Sequence, residues 1–197
     1  MQGLAYYASA MKEITKEELA ALPIRRYEGK VVLNDARLLR EELAEETLIG
    51  FDTETRPAFK PGQSYLPSLV QLATARAVYL LQVQQHDFSD VLRIIFSAEK
   101  ITKVGVSVDD DLKNLKKLFE FHDKAVVDLG KLARQQGMKQ TGIRNLAGIL
   151  LGTRIPKGAK TTNWAAHTLT PQQITYAATD AWACRVLFLR FREMGWV

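Results

Sequence analysis

One cysteine, Cys184, stands in 197 residues. An internal disulfide is therefore impossible, and a cysteine-based zinc site is excluded. No apolar run approaches the roughly 20 residues that a membrane-spanning helix needs, which rules out that class. The N-terminus has no basic segment followed by an apolar stretch, so it does not read as a secretory signal. These absences lead to the expectation of a reduced, cytoplasmic-type soluble protein. Histidine is also scarce: His86, His122 and His167 are scattered, and each reads as non-catalytic. Internal repeats, low-complexity tracts and Gly/Ser linkers are missing. The length then fits one domain with a short N-terminal arm. Met1–Ala10 reads as an irregular part of that arm, with Met11 an alternative start.

Acid is missing from one region. Leu129 to Thr179 holds no Asp or Glu but seven bases, Lys131, Arg134, Lys139, Arg144, Arg154, Lys157 and Lys160. This segment carries +7 in a chain of net charge +5, so the remainder is net acidic. Such asymmetry points to a polyanionic partner, of which nucleic acid is the commonest. A solvated basic surface is the competing reading.

Patterning predicts an α/β chain. Thr15 and Glu18 have capping-box spacing and open a short helix over 16–22, ended by Pro23. A strand is expected over 26–33, then a helix over 35–46 capped by Asn34. The run 48–54 reads as a strand, with Ile49, Phe51 and Thr53 on one face and Gly50, Asp52 and Glu54 on the other. The apolar runs 68–74 and 77–83 read as an antiparallel hairpin. Helices are expected over 89–97, 109–120, 129–136, 142–151 and 171–193, with strands over 101–106 and 125–128. Strands first, then alternating strand and helix, imply a mixed sheet flanked by helices.

The carboxylates carry the chemistry. Asp52 and Glu54 leave the same strand face, and two carboxylates aimed at one point repel unless a cation lies between them. Oxygen-only ligands suit Mg²⁺ or Mn²⁺. With 10 Asp and 12 Glu in the chain, about 0.6 Asp-x-Glu matches arise by chance, so the pair alone decides little. Its setting at the end of a buried strand gives it weight. A second cluster, Asp109-Asp110-Asp111, stands where a strand passes through Gly105 into a helix. One of the three is expected to cap the helix and another to be a ligand. On the last helix, whose start is fixed by Thr170, Pro171 and Gln173, Tyr176 and Asp180 lie four apart on one face.

Phe51-Asp52-Thr53-Glu54-Thr55, Val104-Gly105 with Asp111, Leu112 and Leu115, and Tyr176-Ala177-Ala178-Thr179-Asp180 occur in order. They resemble the three motifs of the DEDD 3′–5′ exonucleases, in the tyrosine subclass. Residues 25–193 are similar to ribonuclease D and Werner-type exonuclease domains, and Asn163-Trp164 and Leu169-Thr170-Pro171 also fit. The spacing to Leu112 and Leu115 selects Asp111 over Asp110. The resemblance implies an RNase H-like fold, with residues 1–24 as the arm and 25–197 as the exonuclease domain. It departs at Ser107, where the family often has glycine, and at 157–162, where a serine-rich tract is common.

The resemblance further implies that Asp52, Glu54, Asp111 and Asp180 hold two divalent cations, Mg²⁺ or Mn²⁺, about 4 Å apart. Asp52 would bridge both, and Glu54 and Asp180 would complete the site carrying the attacking water. Asp111 would support the second ion. Tyr176 would orient the water rather than take its proton, since an ordinary phenol titrates near pH 10. Thr55 would contact the terminal sugar, and Lys160 and Thr162 the phosphates. The expected substrate is a single-stranded or frayed 3′ end of DNA or RNA, trimmed to nucleoside monophosphates. The chain has no room for the added helical domains of longer ribonuclease D proteins, which favours a stand-alone exonuclease. A non-catalytic nucleic-acid-binding or scaffold module on the same fold is the alternative, and a missing carboxylate would mark it.

Overall fold

The computed structural model describes residues 12–58, 60, 62–158 and 162–197. Residues 1–11 and Lys160 lie outside the described residues. Six strands form one mixed sheet: β1 (Val31–Leu33), β2 (Leu48–Thr55), β3 (Pro67–Ala73), β4 (Val78–Leu81), β5 (Thr102–Gly105) and β6 (Val126–Asp128). Their order is β1-β4-β3-β2-β5-β6. The hairpin β3–β4 and the pair β2–β3 are antiparallel, and β1–β4, β2–β5 and β5–β6 are parallel. The mixed sheet expected from patterning is therefore the sheet observed.

Seven helices are described: α1 (Lys16–Ala21), α2 (Ala36–Glu42), α3 (Ser89–Ser97), α4 (Val108–Leu115), α5 (Leu129–Gln135), α6 (Ile143–Leu151) and α7 (Pro171–Glu193). They cover both sheet faces. Ile49 and Phe51 of β2 enter a cluster with Val91, Leu92, Ile95 and Phe96 of α3 and Leu112 and Leu115 of α4. The opposite face packs on α7. Leu48 and Val104 meet Leu187 and Phe191, while Ala177, Ala178 and Ala181 lie on Leu69, Ala73 and Leu80. The period-two alternation of β2 thus sends odd residues to one core and even residues toward α7. Buried Ile14, with Leu19 and Leu22, joins the α7-side core and reaches Gly148 of α6.

Local departures have local causes. The first strand spans only Val31–Leu33, not 26–33, because its partner offers only Val78–Leu80. Asp35, not Asn34, caps α2, and its carboxylate accepts from the Arg37 and Leu38 amides. Asn34 instead adopts φ +55 and bonds Gln82 through both ends of its amide. The helix after β5 ends at Leu115 rather than near 120. None of Asp109, Asp110 and Asp111 is its cap. They lie in its first turn, Ser107 holds the cap position without a side-chain bond, and Asp128 accepts from the Val108 amide.

α7 is the longest described helix. Thr170 and Gln173 form a capping box, with Pro171 at the first helical position, as their spacing predicts. This fixes the rotation of α7 from its first turn, and with it the direction in which Tyr176 and Asp180 leave.

Candidate active site

The first half of β2 is fully buried and its second half, from Asp52, is part-exposed. The strand therefore runs out of the core and delivers its acids at a rim. Carboxylate oxygens of Asp52, Glu54 and Asp180 lie within 4.8 Å of one another. β2 supplies two, and α7, crossing the same face, supplies the third. Asp111 reaches the rim from α4, where its carboxylate accepts a hydrogen bond from the Thr53 hydroxyl. Thr53 occupies the other face of β2, so two adjacent residues of one strand hold two sides of the acidic cluster. Gly105 lets α4 turn in tightly, because a Cβ there would stand 2.6 Å from Val108 and 2.9 Å from the Phe51 carbonyl oxygen.

The electrostatics follow from this crowding. Burial, then the Asp180, Asp111 and Glu54 carboxylates, push Asp52 well above the usual carboxylate range, although its Oδ1 accepts from the Thr53 amide at 2.9 Å. Burial raises Asp111 to about 6 against the Thr53 hydrogen bond, with Asp110 and Asp128 adding to the rise. Burial raises Asp180 to about 6, opposed by the Arg144 charge and a hydrogen bond with Tyr176. The same negative field adds to burial in raising the Cys184 thiol.

These residues fit a divalent cation. The donors are all hard oxygens, the choice Mg²⁺ and Mn²⁺ make. Asp180 Oδ1 is buried without a hydrogen-bond partner among the described residues, and a buried carboxylate oxygen left unpaired is costly. A cation would satisfy that atom and cancel the mutual repulsion.

Tyr176 forms one wall. Its hydroxyl accepts from Arg144 Nη2 at 3.2 Å, and its ring lies 6.0 Å from that of buried Trp164. Burial first, then Asp180 and Glu54, push the phenol far above its ordinary value despite Arg144. Beside it a cleft of about 420 Å³ is lined by Arg26, Lys157, Gly158, Gln172, Thr175 and Asp180 among others.

Of the other residues singled out, Thr55 ends β2 beyond a register shift at Glu54, facing Pro67. The Thr162 hydroxyl accepts from Gln173 Nε2 at 3.1 Å, which ties it to the start of α7. The basic segment is partly spent on structure: Lys131 pairs with Asp109 and Lys139 with Glu13. Residue-by-residue reading missed Arg144 and Thr53. Arg144 carried one signal, a base in an acid-free segment; Thr53 carried only its place between Asp52 and Glu54.

A mixed six-stranded sheet with acids gathered at the rim of β2, α4 and α7 is the α/β arrangement expected of the RNase H-like fold that the resemblance implies. A family model described as 3′-5′ exonuclease matches residues 33–196, and the chain belongs to that family. It is 27% identical over 189 residues to the mouse bifunctional 3′-5′ exonuclease/ATP-dependent helicase WRN, covering 88% of this chain and 13% of that protein. It is 30% identical over 159 residues to ribonuclease D of Haemophilus influenzae, covering 78% and 39% respectively. The chain thus matches less than half the length of either relative. The crystal structure of the Aedes aegypti Nibbler EXO domain shares the fold with a TM-score of 0.76 at 24% identity, over 88% of this chain and 92% of that one. Among the described residues, no helix is long and apolar enough to cross a membrane.

Proposed function

We propose that this chain hydrolyses the terminal phosphodiester bond at the 3′ end of single-stranded or frayed DNA or RNA and releases nucleoside monophosphates. The observation that carries this reading is the convergence of Asp52, Glu54 and Asp180, brought within 4.8 Å from two elements, in a chain of the 3′–5′ exonuclease family. Asp52, Glu54 and Asp180, with Asp111 beside them, would hold Mg²⁺ or Mn²⁺. Two such ions supply activation of a water and neutralisation of charge on the phosphoryl and leaving oxygens.

The chain's own residues divide the remaining work. Tyr176, raised far above neutral pH, stays a phenol and orients the nucleophile as a hydrogen-bonding group. It does not remove a proton. Thr53 fixes the Asp111 carboxylate. The backbone at Thr55, where β2 leaves its register, offers a contact to the terminal sugar. Lys160, outside the described residues, and Thr162, anchored on Gln173, would contact the phosphates. Residues 1–24 are assigned as an arm and 25–197 as the exonuclease domain.

The test is degradation of 5′-labelled DNA and RNA oligonucleotides with Mg²⁺ or Mn²⁺. The expected result is a ladder shortening from the 3′ end, lost on chelation and in Asp52→Ala. Cleavage that survives Asp52→Ala defeats the mechanism. Oligonucleotide binding without cleavage in every metal favours the non-catalytic module, against which the presence of all four carboxylates stands.

A further inference from the structure

Arg144 is the second residue of α6 and is half-buried. Its Nη2 donates to the Tyr176 hydroxyl at 3.2 Å, and its guanidinium carbon lies 6.0 Å from the Tyr176 ring centre. Its Nε is buried without a hydrogen-bond partner among the described residues. Arg185 shows what a structural arginine of this chain does instead. Its Nε donates to the Leu48 carbonyl at 3.1 Å, and its charge faces Glu46 at 3.8 Å. Arg144 is not satisfied in that way, and among the described residues its hydrogen bond goes to the tyrosine at the rim of the acidic cluster.

The Tyr176 ring has little freedom. Trp164 lies 6.0 Å away, and a Cβ at Gly158 would stand 2.3 Å from Tyr176 Cδ2. What remains free is rotation of the hydroxyl hydrogen about the C–O bond. An oxygen that accepts from Arg144 must turn its own hydrogen elsewhere. An arginine is always charged and has no acceptor, so the direction of the hydrogen bond from Arg144 to Tyr176 cannot reverse. The position also suits a cation, for no acid occurs in the sequence between Asp128 and Asp180 to capture it locally.

We infer that Arg144 is a positioning residue that holds the Tyr176 hydroxyl in the orientation needed to direct the attacking water. This rests on the exonuclease reading above. Loss of a hydrogen bond from a charged donor corresponds to roughly a tenfold effect or more on rate.

The experiment measures kcat and KM on a 5′-labelled single-stranded oligonucleotide for wild type, Arg144→Ala, Arg144→Lys, Tyr176→Phe and the Arg144→Ala/Tyr176→Phe pair. Arg144→Ala is expected to lower kcat about tenfold with KM changed less than about twofold, and Arg144→Lys to restore much of the loss. On the Tyr176→Phe background, Arg144→Ala should change kcat less than about twofold, as expected for residues acting as a unit. A second arm needs no metal. Protein labelled with 3-fluorotyrosine gives a fluorine resonance for Tyr176, identified by its disappearance in Tyr176→Phe. That resonance should shift and broaden in Arg144→Ala and return toward its place in Arg144→Lys. An undiminished loss on the Tyr176→Phe background, or an unmoved resonance in Arg144→Ala, overturns the inference. An inactive wild type with a responsive resonance overturns the exonuclease reading instead, leaving the Arg144–Tyr176 coupling standing.

Discussion

Gly50 and Ala181 meet backbone to backbone: a methyl group on Gly50 would stand 2.2 Å from the Ala181 carbonyl oxygen and 2.7 Å from the Arg185 amide nitrogen. Asp52 lies two residues along β2 from this contact, and Asp180 immediately precedes Ala181. The close approach of strand and helix therefore sets the separation of the acids. Gly50→Ala forces the two apart, since neither atom it meets belongs to a flexible side chain. The expected cost is about 3 kcal/mol, the upper range for overpacking. Urea denaturation would show it as a lowered midpoint, and calorimetry as loss of Mn²⁺ binding. A variant with unchanged midpoint and unchanged Mn²⁺ affinity would separate the site from this contact.

Asp111 and Asp180 are both raised from 3.8 to about 6 and Asp52 is raised well above its ordinary value, in each case first by burial. Between pH 3.8 and 6 these three carboxyls bind more protons in the folded metal-free chain than in the unfolded one. Their contribution to stability therefore falls as pH rises through that window and stays reduced at pH 7. Asp52→Asn should raise the melting temperature of the metal-free protein at pH 7 and flatten the fall between pH 4 and 7. In wild type, Mg²⁺ or Mn²⁺ should raise the melting temperature at pH 7 and do so less in Asp52→Asn. Calorimetry over pH with and without metal decides this; an Asp52→Asn curve no flatter than wild type over that window contradicts it.

The sequence exposed the parts of the site that depend on short periods. A buried run ending in Asp-x-Glu can face its acids only one way on a strand, and a capping box fixes the rotation of α7. These local rules suffice to aim Asp52, Glu54 and Asp180. Contacts between elements were not legible. Arg144 and Tyr176 are 32 residues apart, and nothing in either helix alone shows that α6 points its second residue at α7. Asn34 and Asp35 are both good caps, and only the Gln82 amide across the sheet decides between them. Likewise Asp128, from β6, takes the capping role expected of the acids at 109–111.

Ser107 stands where the backbone favours glycine. It adopts φ +62, ψ +43, a left-handed conformation that glycine enters freely and serine does not. Its side chain makes no capping bond that would offset the strain. Ser107→Gly should therefore stabilise the fold by about 0.5 kcal/mol, relief of strain being opposed by the greater entropy of glycine in the unfolded chain. Denaturant titration measures the difference. A destabilised variant would mean that the serine makes an interaction outweighing its backbone strain.

Lys103 is completely buried in β5, between β2 and β6. Its Nζ donates to the Ala98 carbonyl, at the C-terminal end of α3, at 2.7 Å. The helix terminus favours the cation, but burial dominates and lowers the lysine to about 8 from 10.5, with Asp123 opposing the shift. Between pH 8 and 10.5 the unfolded chain then binds more protons than the folded one, so this residue makes stability rise with pH in that window. Lys103→Met keeps the length of the side chain and removes the charge. It should raise stability at pH 7 by about 1 kcal/mol, the gain in desolvation being offset in part by an unpaired Ala98 carbonyl. The variant should also lose the rise between pH 8 and 10.5, a readout that packing alone would not move. Denaturant midpoints for both proteins at pH 7, 8.5 and 10 test the two effects together. A variant less stable than wild type at pH 7 would show that the Ala98 hydrogen bond outweighs the cost of burying the ammonium group.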